Sequence, residues 1–223
     1  MEEDESTISY AEIKAVACGN PEIKEQMQLA VDVQRLKMQK ANFTRQYCSM
    51  QDYVNVTGPE KIAKLQSIID RISKDIDLLK ETEENIFVMR LFDHYNYDSP
   101  KDANRALRGL KGNWNVDTKV GEYRGFDIVL NQKTIPEYET MTLKGNYHYS
   151  FTYQFEHADI VLRIKNTLND ISNDRNMYCA KLQNEQRQFE TAKIELSNDR
   201  FPKEQELLEK EARLKELNVK LSA

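Results

Sequence analysis

Residues 59–82 read PEKIAKLQSIIDRISKDIDLLKET, and this segment decides the architecture of the chain. Its apolar residues recur at alternating spacings of three and four, which keeps one narrow stripe of a helix against a partner helix. The stripe consists of Ile62, Leu65, Ile69, Ile72, Ile76 and Leu79. The same kind of repeat covers residues 21–54 before this segment, and residues 159–197 and 203–221 near the end of the chain. The sequence therefore predicts long paired helices on both sides of a different middle segment.

Breaks in the repeats predict where these helices turn. Thr57-Gly58-Pro59 interrupts the first pair of repeats, and Asn198-Asp199-Arg200-Phe201-Pro202 interrupts the second. Proline suits the first turn of a new helix, and helices joined by a short turn usually fold back on one another. We expect an acidic tail with a short capped helix at 1–20, a first helical hairpin at 21–84, a small α+β head at 85–157 and a second helical hairpin at 158–223.

The middle segment, residues 85–157, has the composition of a small sheet. It contains the single tryptophan and most of the tyrosines and glycines of the chain. Alternating patterns predict strands at 86–92, 95–97, 120–130, 138–144 and 147–155. Ser99-Pro100 predicts the start of one helix between them. The expected fold class is α+β, with two antiparallel long-helix hairpins flanking an inserted small antiparallel sheet that packs on one helix.

Composition restricts the partners and the compartment. The 32 basic and 37 acidic residues give a net charge of −5, so the whole chain has no attraction to nucleic acid or to an anionic membrane. No apolar run reaches the roughly 18 residues that a membrane-spanning helix needs. The acidic start is unlike a signal peptide, and Cys18, Cys48 and Cys179 are scattered. We therefore expect reduced thiols, a cytoplasmic location and no membrane partner.

The predicted head helix is the best candidate for a charged binding surface. Lys101, Arg105, Arg108 and Lys111 share one helical face, and apolar residues occupy the opposite face. Such a ladder of cations can track phosphates, whereas the other interpretation is the solvated face of an amphipathic helix. The candidate nucleic-acid-binding residues are Lys101, Arg105, Arg108, Lys111, Trp114, Lys119 and Arg124. The expected partner of the head is therefore DNA. Trp114 suits either packing inside the head or contact with DNA.

A row of aromatic residues follows in the last predicted strand. It consists of Tyr147, Tyr149, Phe151, Tyr153 and Phe155, which share one side at the two-residue period of a strand. An exposed row of this kind stacks unpaired bases, and a buried row forms a sheet core. Burial is favoured because the head has few other large apolar side chains.

No set of residues in the sequence predicts catalysis. The glycines lack both the lysine-containing phosphate loop and the dinucleotide-binding spacing. His94, His148 and His157 have no metal-ligand spacing with one another or with cysteine. The carboxylates of the long helices are interpreted as solvated helix surface. We therefore expect no catalytic residue, no cofactor and no metal.

Two blocks of the sequence resemble one family. The first comprises Ser9-Tyr10-Ala11-Glu12-Ile13-Lys14-Ala15, Gly19-Asn20-Pro21, Ile23-Lys24-Glu25 and Val33-Gln34-Arg35-Leu36. The second comprises Gly121-Glu122-Tyr123-Arg124-Gly125-Phe126-Asp127, the strands up to Phe155, Arg163-Ile164-Lys165-Asn166 and Phe201-Pro202-Lys203-Glu204. In the same order, these blocks resemble the segment after the motor domain and the extreme C-terminus of very large proteins of conjugative elements, plasmids and phages. Those proteins join a DNA methyltransferase-like region to a Swi/Snf-type helicase. The chain departs from the family pattern at His157-Ala158-Asp159, where the family has a glycine-asparagine pair.

The resemblance implies that the chain is the C-terminal region of such a protein. The catalytic residues of the family would lie upstream, in helicase and methyltransferase domains that would be the partners of this segment. The expected function is a non-catalytic accessory module that contacts DNA or acts as a scaffold. The alternative is a structural coiled-coil module that binds protein, or self-associates through its heptad seams, without binding nucleic acid.

Overall fold

The computed structural model describes residues 19–82, 86–92, 94–110, 116–132, 139–154, 159–197 and 199–222. Its elements, in chain order, are α1 (Pro21–Asp52), a π-helical segment (Tyr53–Thr57), α2 (Gly58–Glu81), β1 (Met89–Leu91), β2 (Tyr95–Tyr97), α3 (Pro100–Arg108), β3 (Thr118–Tyr123), β4 (Phe126–Leu130), β5 (Glu139–Lys144), β6 (His148–Tyr153), α4 (Ile160–Leu196) and α5 (Glu204–Ser222). The fold class is α+β, with an antiparallel sheet inserted between long helices, as predicted. The short helix predicted at 10–18 lies outside the described residues.

The chain divides into two compact units. One unit contains the described residues up to Gly58 and those from Phe189 onward, and the other contains residues 59–188. The first unit therefore holds α1 and α5, and the second holds α2, the sheet, α3 and most of α4.

In the first unit α1 pairs with α5 in antiparallel orientation. Val33, Leu36 and Leu207 are buried between the two helices, with Leu214 packed against them. Five ion pairs between the helices show this orientation, because higher residue numbers in α1 generally pair with lower residue numbers in α5. They are Glu22–Lys220, Glu25–Arg213, Asp32–Lys210, Lys37–Glu211 and Lys40–Glu204. Opposite charges at these flanking positions specify the partner and the register.

In the second unit α2 pairs with α4, again in antiparallel orientation. Lys61 Nζ lies 3.7 Å from Glu185 Oε1, and Arg175 Nε donates to Ser73 Oγ at 2.9 Å. The turn predicted at Thr57-Gly58-Pro59 is instead helical. Gly58 has helical angles (φ −65°, ψ −55°), its N–H bonds to the Tyr53 carbonyl, and Pro59 follows within a helix.

The π-helical segment coincides with an irregular step in the spacing of the apolar residues. One row of the α1 seam is Val33, Lys40, Tyr47 and Val54, and the matching row of α2 is Ile62, Ile69 and Ile76. The step from Val54 to Ile62 is one residue longer than a heptad. A π turn accommodates one extra residue within a helix. Of the positions that an uninterrupted heptad would place in the seam, Lys61, Lys64 and Arg71 are exposed, whereas Ile68 and Asp75 are buried.

The six strands of the described residues form one antiparallel sheet of order β2-β1-β3-β4-β5-β6. The single strand predicted at 120–130 is instead the β3–β4 hairpin, with Tyr123 opposite Phe126. Its two-residue turn has positive φ at both positions, 51° at Arg124 and 80° at Gly125, as a type I′ turn requires. Arginine rarely adopts this conformation, so the sequence pattern gave little indication of a turn there.

The sheet has one apolar face and one polar face. Cross-strand neighbours Ile128, Leu143 and Tyr149 lie on the apolar face, in one core with Ile72 of α2 and Ile164 of α4. A row across the opposite face consists of Arg90, Glu122, Asp127, Lys144 and His148. The apolar face therefore fixes the sheet onto the helices of its own unit.

Candidate nucleic-acid interface

Helix α3 is an amphipathic helix whose ends are set by its sequence. The Ser99 side chain accepts a hydrogen bond from the Asp102 N–H at 3.4 Å, and Pro100 occupies the first turn. Ala103 and Leu107 are fully buried in the core of the sheet unit, which confirms the predicted apolar face. Because these two residues fix the rotation of the helix, the opposite face points away from the core.

That opposite face carries three of the predicted cations. Lys101, Arg105 and Arg108 are exposed. Arg105 Nη1 lies 3.3 Å from Asp102 Oδ1 in a pair whose side chains are 75% and 53% exposed. An exposed pair one turn apart contributes little to stability, so it leaves the guanidinium able to exchange Asp102 for a phosphate. The two arginines are also in the last turn, where cations favour the helix dipole.

Lys119 lies on the sheet and not on the α3 face. It belongs to β3, and its Nζ lies 2.6 Å from Asp127 Oδ1 of the neighbouring strand β4. Both side chains are about half-exposed. Lys119 is therefore part of a neutral cross-strand pair on the polar face of the sheet.

Arg124 has a structural role that its position in the sequence did not indicate. Its Nε donates to the Thr82 carbonyl at 3.1 Å, and its Nη2 donates to the Leu79 carbonyl. The Thr82 hydroxyl in turn donates to the Leu78 carbonyl at 2.7 Å. The last turn of a helix leaves carbonyls without helical partners, and here the guanidinium satisfies them. Arg124 therefore joins the β3–β4 turn to the C-terminal end of α2 and does not belong to the cationic face. Lys111 and Trp114 lie outside the described residues.

The aromatic row of β6 belongs to the sheet core, as the favoured interpretation predicted. Tyr149 and Tyr153 are buried, and Tyr147 and Phe151 pack against the same core. Tyr149 packs edge-on against Phe126, with 6.1 Å between ring centroids. These rings are therefore not a stacking platform for bases. Phe155 lies outside the described residues.

The carboxylate of Asp75 contradicts the interpretation that the helix carboxylates are solvated. Asp75 of α2 is fully buried, and it accepts four hydrogen bonds from the β5–β6 turn and β6. Asn146 donates from its backbone N–H at 2.6 Å and from Nδ2 at 2.9 Å, Tyr147 from its N–H at 2.8 Å and the Tyr149 hydroxyl at 2.9 Å. A Cβ at Gly145 would lie 2.5 Å from Asp75 Oδ1, so only glycine allows this approach. We call these contacts the Asp75 network.

Tyrosines adjoining the Asp75 network have raised pKa values. Burial, with the hydrogen bond to Asp75, raises the pKa of Tyr149 well above its usual range. The Tyr147 hydroxyl lies 2.8 Å from the Tyr178 hydroxyl, and that hydrogen bond, with burial, raises the pKa of Tyr147 to about 12. Both hydroxyls therefore stay protonated at neutral pH and serve as hydrogen-bonding groups.

Within the described ranges, no group of three or more His, Cys, Asp or Glu side chains is placed to hold a metal ion. Cys48 is an exposed free thiol and Cys179 a half-buried one. Of the helices that the structure describes, none combines the length and apolarity needed to cross a membrane.

The chain matches no family model, no curated protein and no solved structure.

Proposed function

We propose that this chain is a non-catalytic accessory module of a mobile-element DNA helicase or methyltransferase protein, and that its sheet unit contacts the DNA backbone through α3. One observation carries the proposal: Lys101, Arg105 and Arg108 share the exposed face of a helix whose other face is fully buried. Cations held on one rigid face bind phosphates through charge alone, without reading bases.

The dimensions of the face suit a backbone contact. Lys101 and Arg108 are seven residues apart, which corresponds to roughly 10 Å along the helix axis. Phosphates of one strand of duplex DNA follow one another at about 3.4 Å of axial rise, so the face spans a few phosphates. Binding of this kind is weak and depends strongly on salt.

The experiment compares duplex and single-stranded DNA binding at several salt concentrations. The test variant is Lys101→Gln, Arg105→Gln, Arg108→Gln, and the control is Lys24→Gln, Arg35→Gln, Arg45→Gln, which removes three exposed cations from α1. Both variants change the net charge equally. We expect the α3 variant to lower the slope of log K against log salt by roughly 2 to 3, because about one counterion is released per phosphate contact. Equal binding by the two variants, or no binding by the wild type, would overturn the proposal.

A specific observation also favours the alternative of a protein-binding helical module. In α1 the seam residue Leu29 is only half-buried beside α5, and Phe43, Tyr47 and Met50, which lie beyond the Lys40–Glu204 pair at the start of α5, are half-buried too. A third helix from a partner protein would bury them further, as in three-stranded helical assemblies. The test is to replace Phe43 and Tyr47 by Gln and to measure self-association of the chain by sedimentation at several concentrations. A wild type that stays monomeric, or a variant that associates as strongly as the wild type, would contradict self-association through this seam.

A further inference from the structure

The two edges of the sheet differ in how they are protected. In the part of the chain that the structure describes, β2 and β6 are the edge strands. Strand β2 has three residues and adjoins α3, whereas β6 has six residues, His148–Tyr153. A short edge covered by a helix is a common protection against pairing with another chain, and a longer regular edge lacks it.

The backbone of β6 presents alternate residues to the outside of the sheet. The Thr140 carbonyl accepts a hydrogen bond from the N–H of Asn131, which follows β4, so the even-numbered residues of β5 direct their backbone groups toward β4. The backbone groups of the odd-numbered residues of β5 therefore point toward β6. Their partners in register are Tyr149, Phe151 and Tyr153, which therefore bond inward. The N–H and C=O groups of His148, Ser150 and Thr152 consequently point outward. Arg163 confirms this direction because its Nη1 donates to the Thr152 carbonyl, at 3.0 Å, from α4.

The composition of β6 does nothing to prevent pairing. The sequence HYSFTY contains no charged residue and no proline, and its register with β5 has no bulge. Natural edge strands are usually blocked by such features, with lysine the most frequent. Arg163 covers one carbonyl at the end of the strand. The outward-facing residues His148, Ser150 and Thr152 also have exposed side chains.

We propose that β6 pairs with β6 of a second copy of this chain, antiparallel across a two-fold axis. With Ser150 opposite its own copy, His148 lies opposite Thr152 of the other chain, and the two sheets join into one. A second copy fits because the two faces of the sheet would continue across the junction. Each β6 strand places its tyrosines on the apolar face and its small polar residues on the polar face. The strand itself carries no charge, so a two-fold axis places no like charges opposite one another within the paired strands. Arg163 of each copy has to release the Thr152 carbonyl for the N–H of His148 of the other copy.

The dimer rests on few hydrogen bonds and is therefore weak. Each backbone hydrogen bond contributes about 1 kcal/mol net, and association itself costs several kcal/mol. The dimer should form in the micromolar to millimolar range and should dissociate on dilution. It is independent of the cationic face of α3.

The test is sedimentation equilibrium of the full chain over a wide concentration range. Ser150→Pro removes an outward N–H that β5 does not use, and Ser150→Lys places two positive charges on the axis. Ser150→Ala is the matched control because it keeps the N–H and adds no charge. We expect dimerisation of the wild type and the control, and at least a tenfold weaker association of the proline and lysine variants. Circular dichroism verifies the fold of each variant. If the proline variant is unfolded, the lysine variant alone tests the proposal.

Cross-linking tests the register. In a background with Cys18, Cys48 and Cys179 replaced by Ser, Ser150→Cys should give a disulfide-linked dimer on mild oxidation. Asn96→Cys, at an exposed position of the other edge strand β2, is the control and should not. The proposal is overturned by a wild type that stays monomeric throughout. It is equally overturned by folded Ser150→Lys protein that dimerises as strongly as the wild type.

Discussion

At the scale of single residues, Asp75 links a helix to a sheet. Its two carboxylate oxygens receive four hydrogen bonds without exposure to water. A buried carboxylate that loses its donors, or buried donors that lose their carboxylate, cost far more than an exposed hydrogen bond. The position is therefore specific for aspartate.

Asp75→Asn should destabilise the protein by about 3 kcal/mol or more, because an amide nitrogen then faces N–H groups of Asn146 or Tyr147, which can only donate. The measurement is urea unfolding followed by circular dichroism. Asp70→Asn is the control, since Asp70 is exposed on the same helix, and it should change the free energy of unfolding by less than about 0.5 kcal/mol. Equal effects of the two substitutions would contradict the role of the Asp75 network.

Arg124 makes a second residue-scale prediction. Arg124→Met removes the donors to the Leu79 and Thr82 carbonyls, and we expect a loss of about 1–3 kcal/mol in the free energy of unfolding. Lys101→Met, on the exposed face of α3, should be nearly neutral in the same assay. A stable Arg124→Met variant with weakened DNA binding would show that Arg124 contacts phosphate instead.

At the scale of elements, the π-helical segment accommodates the one extra residue in the step from Val54 to Ile62. Deleting Val56, which is half-exposed within the segment, should convert it to regular α-helix with an uninterrupted heptad. We expect the thermal midpoint to stay the same or rise. Deleting Lys64 from α2 is the control. This deletion leaves the π segment in place and shifts the seam residues before Lys64 by one position relative to the seam residues after it. That variant should melt well below the wild type, and a low midpoint for both deletions would refute the explanation.

Much of the element scale was predictable from periodicity, and the continuity of α1 into α2 was not. The apolar repeats located α4 and α5 almost to the residue, and Ser99-Pro100 located α3. A turn was predicted incorrectly because Thr57-Gly58-Pro59 is typical of one, whereas Gly58 has helical angles and the helix continues through it. Of the candidate site, the face of α3 was predictable because amphipathicity is local. The roles of Arg124 and Asp75 depend on partners more than forty residues away, and no local pattern encodes them.

At the scale of the whole molecule, the two compact units are stabilised differently. The unit of residues 59–188 contains the large core of sheet and helices, whereas between α1 and α5 only a small apolar cluster is fully buried among the described residues. The α1–α5 pair therefore has the smaller buried core. Its ion pairs are mostly well exposed, so they contribute more to the choice of partner and register than to stability.

Acid should weaken the α1–α5 pair. Hydrogen bonds from Arg213 and Lys210 lower the pKa values of Glu25 and Asp32 below their ordinary 4.5 and 3.8. Groups with a lowered folded pKa stabilise the fold above the ordinary value, and this contribution is lost as the pH falls through the folded value. We therefore expect the thermal midpoint, followed by the helical circular dichroism signal, to fall as the pH drops below these ordinary values. Glu25→Gln, Asp32→Asn should flatten this dependence, and an unchanged pH profile in the variant would contradict the assignment.

The π-helical segment also has a consequence for comparing genes. We infer that a single inserted codon between those for Tyr53 and Gly58 accounts for the local geometry and for the eight-residue step from Val54 to Ile62. A relative without that codon would keep the same contacts, but its sequence would be one residue shorter between the two helices. Its alignment to this chain should therefore carry a gap of one residue there, and nowhere else in the two long helices that flank it.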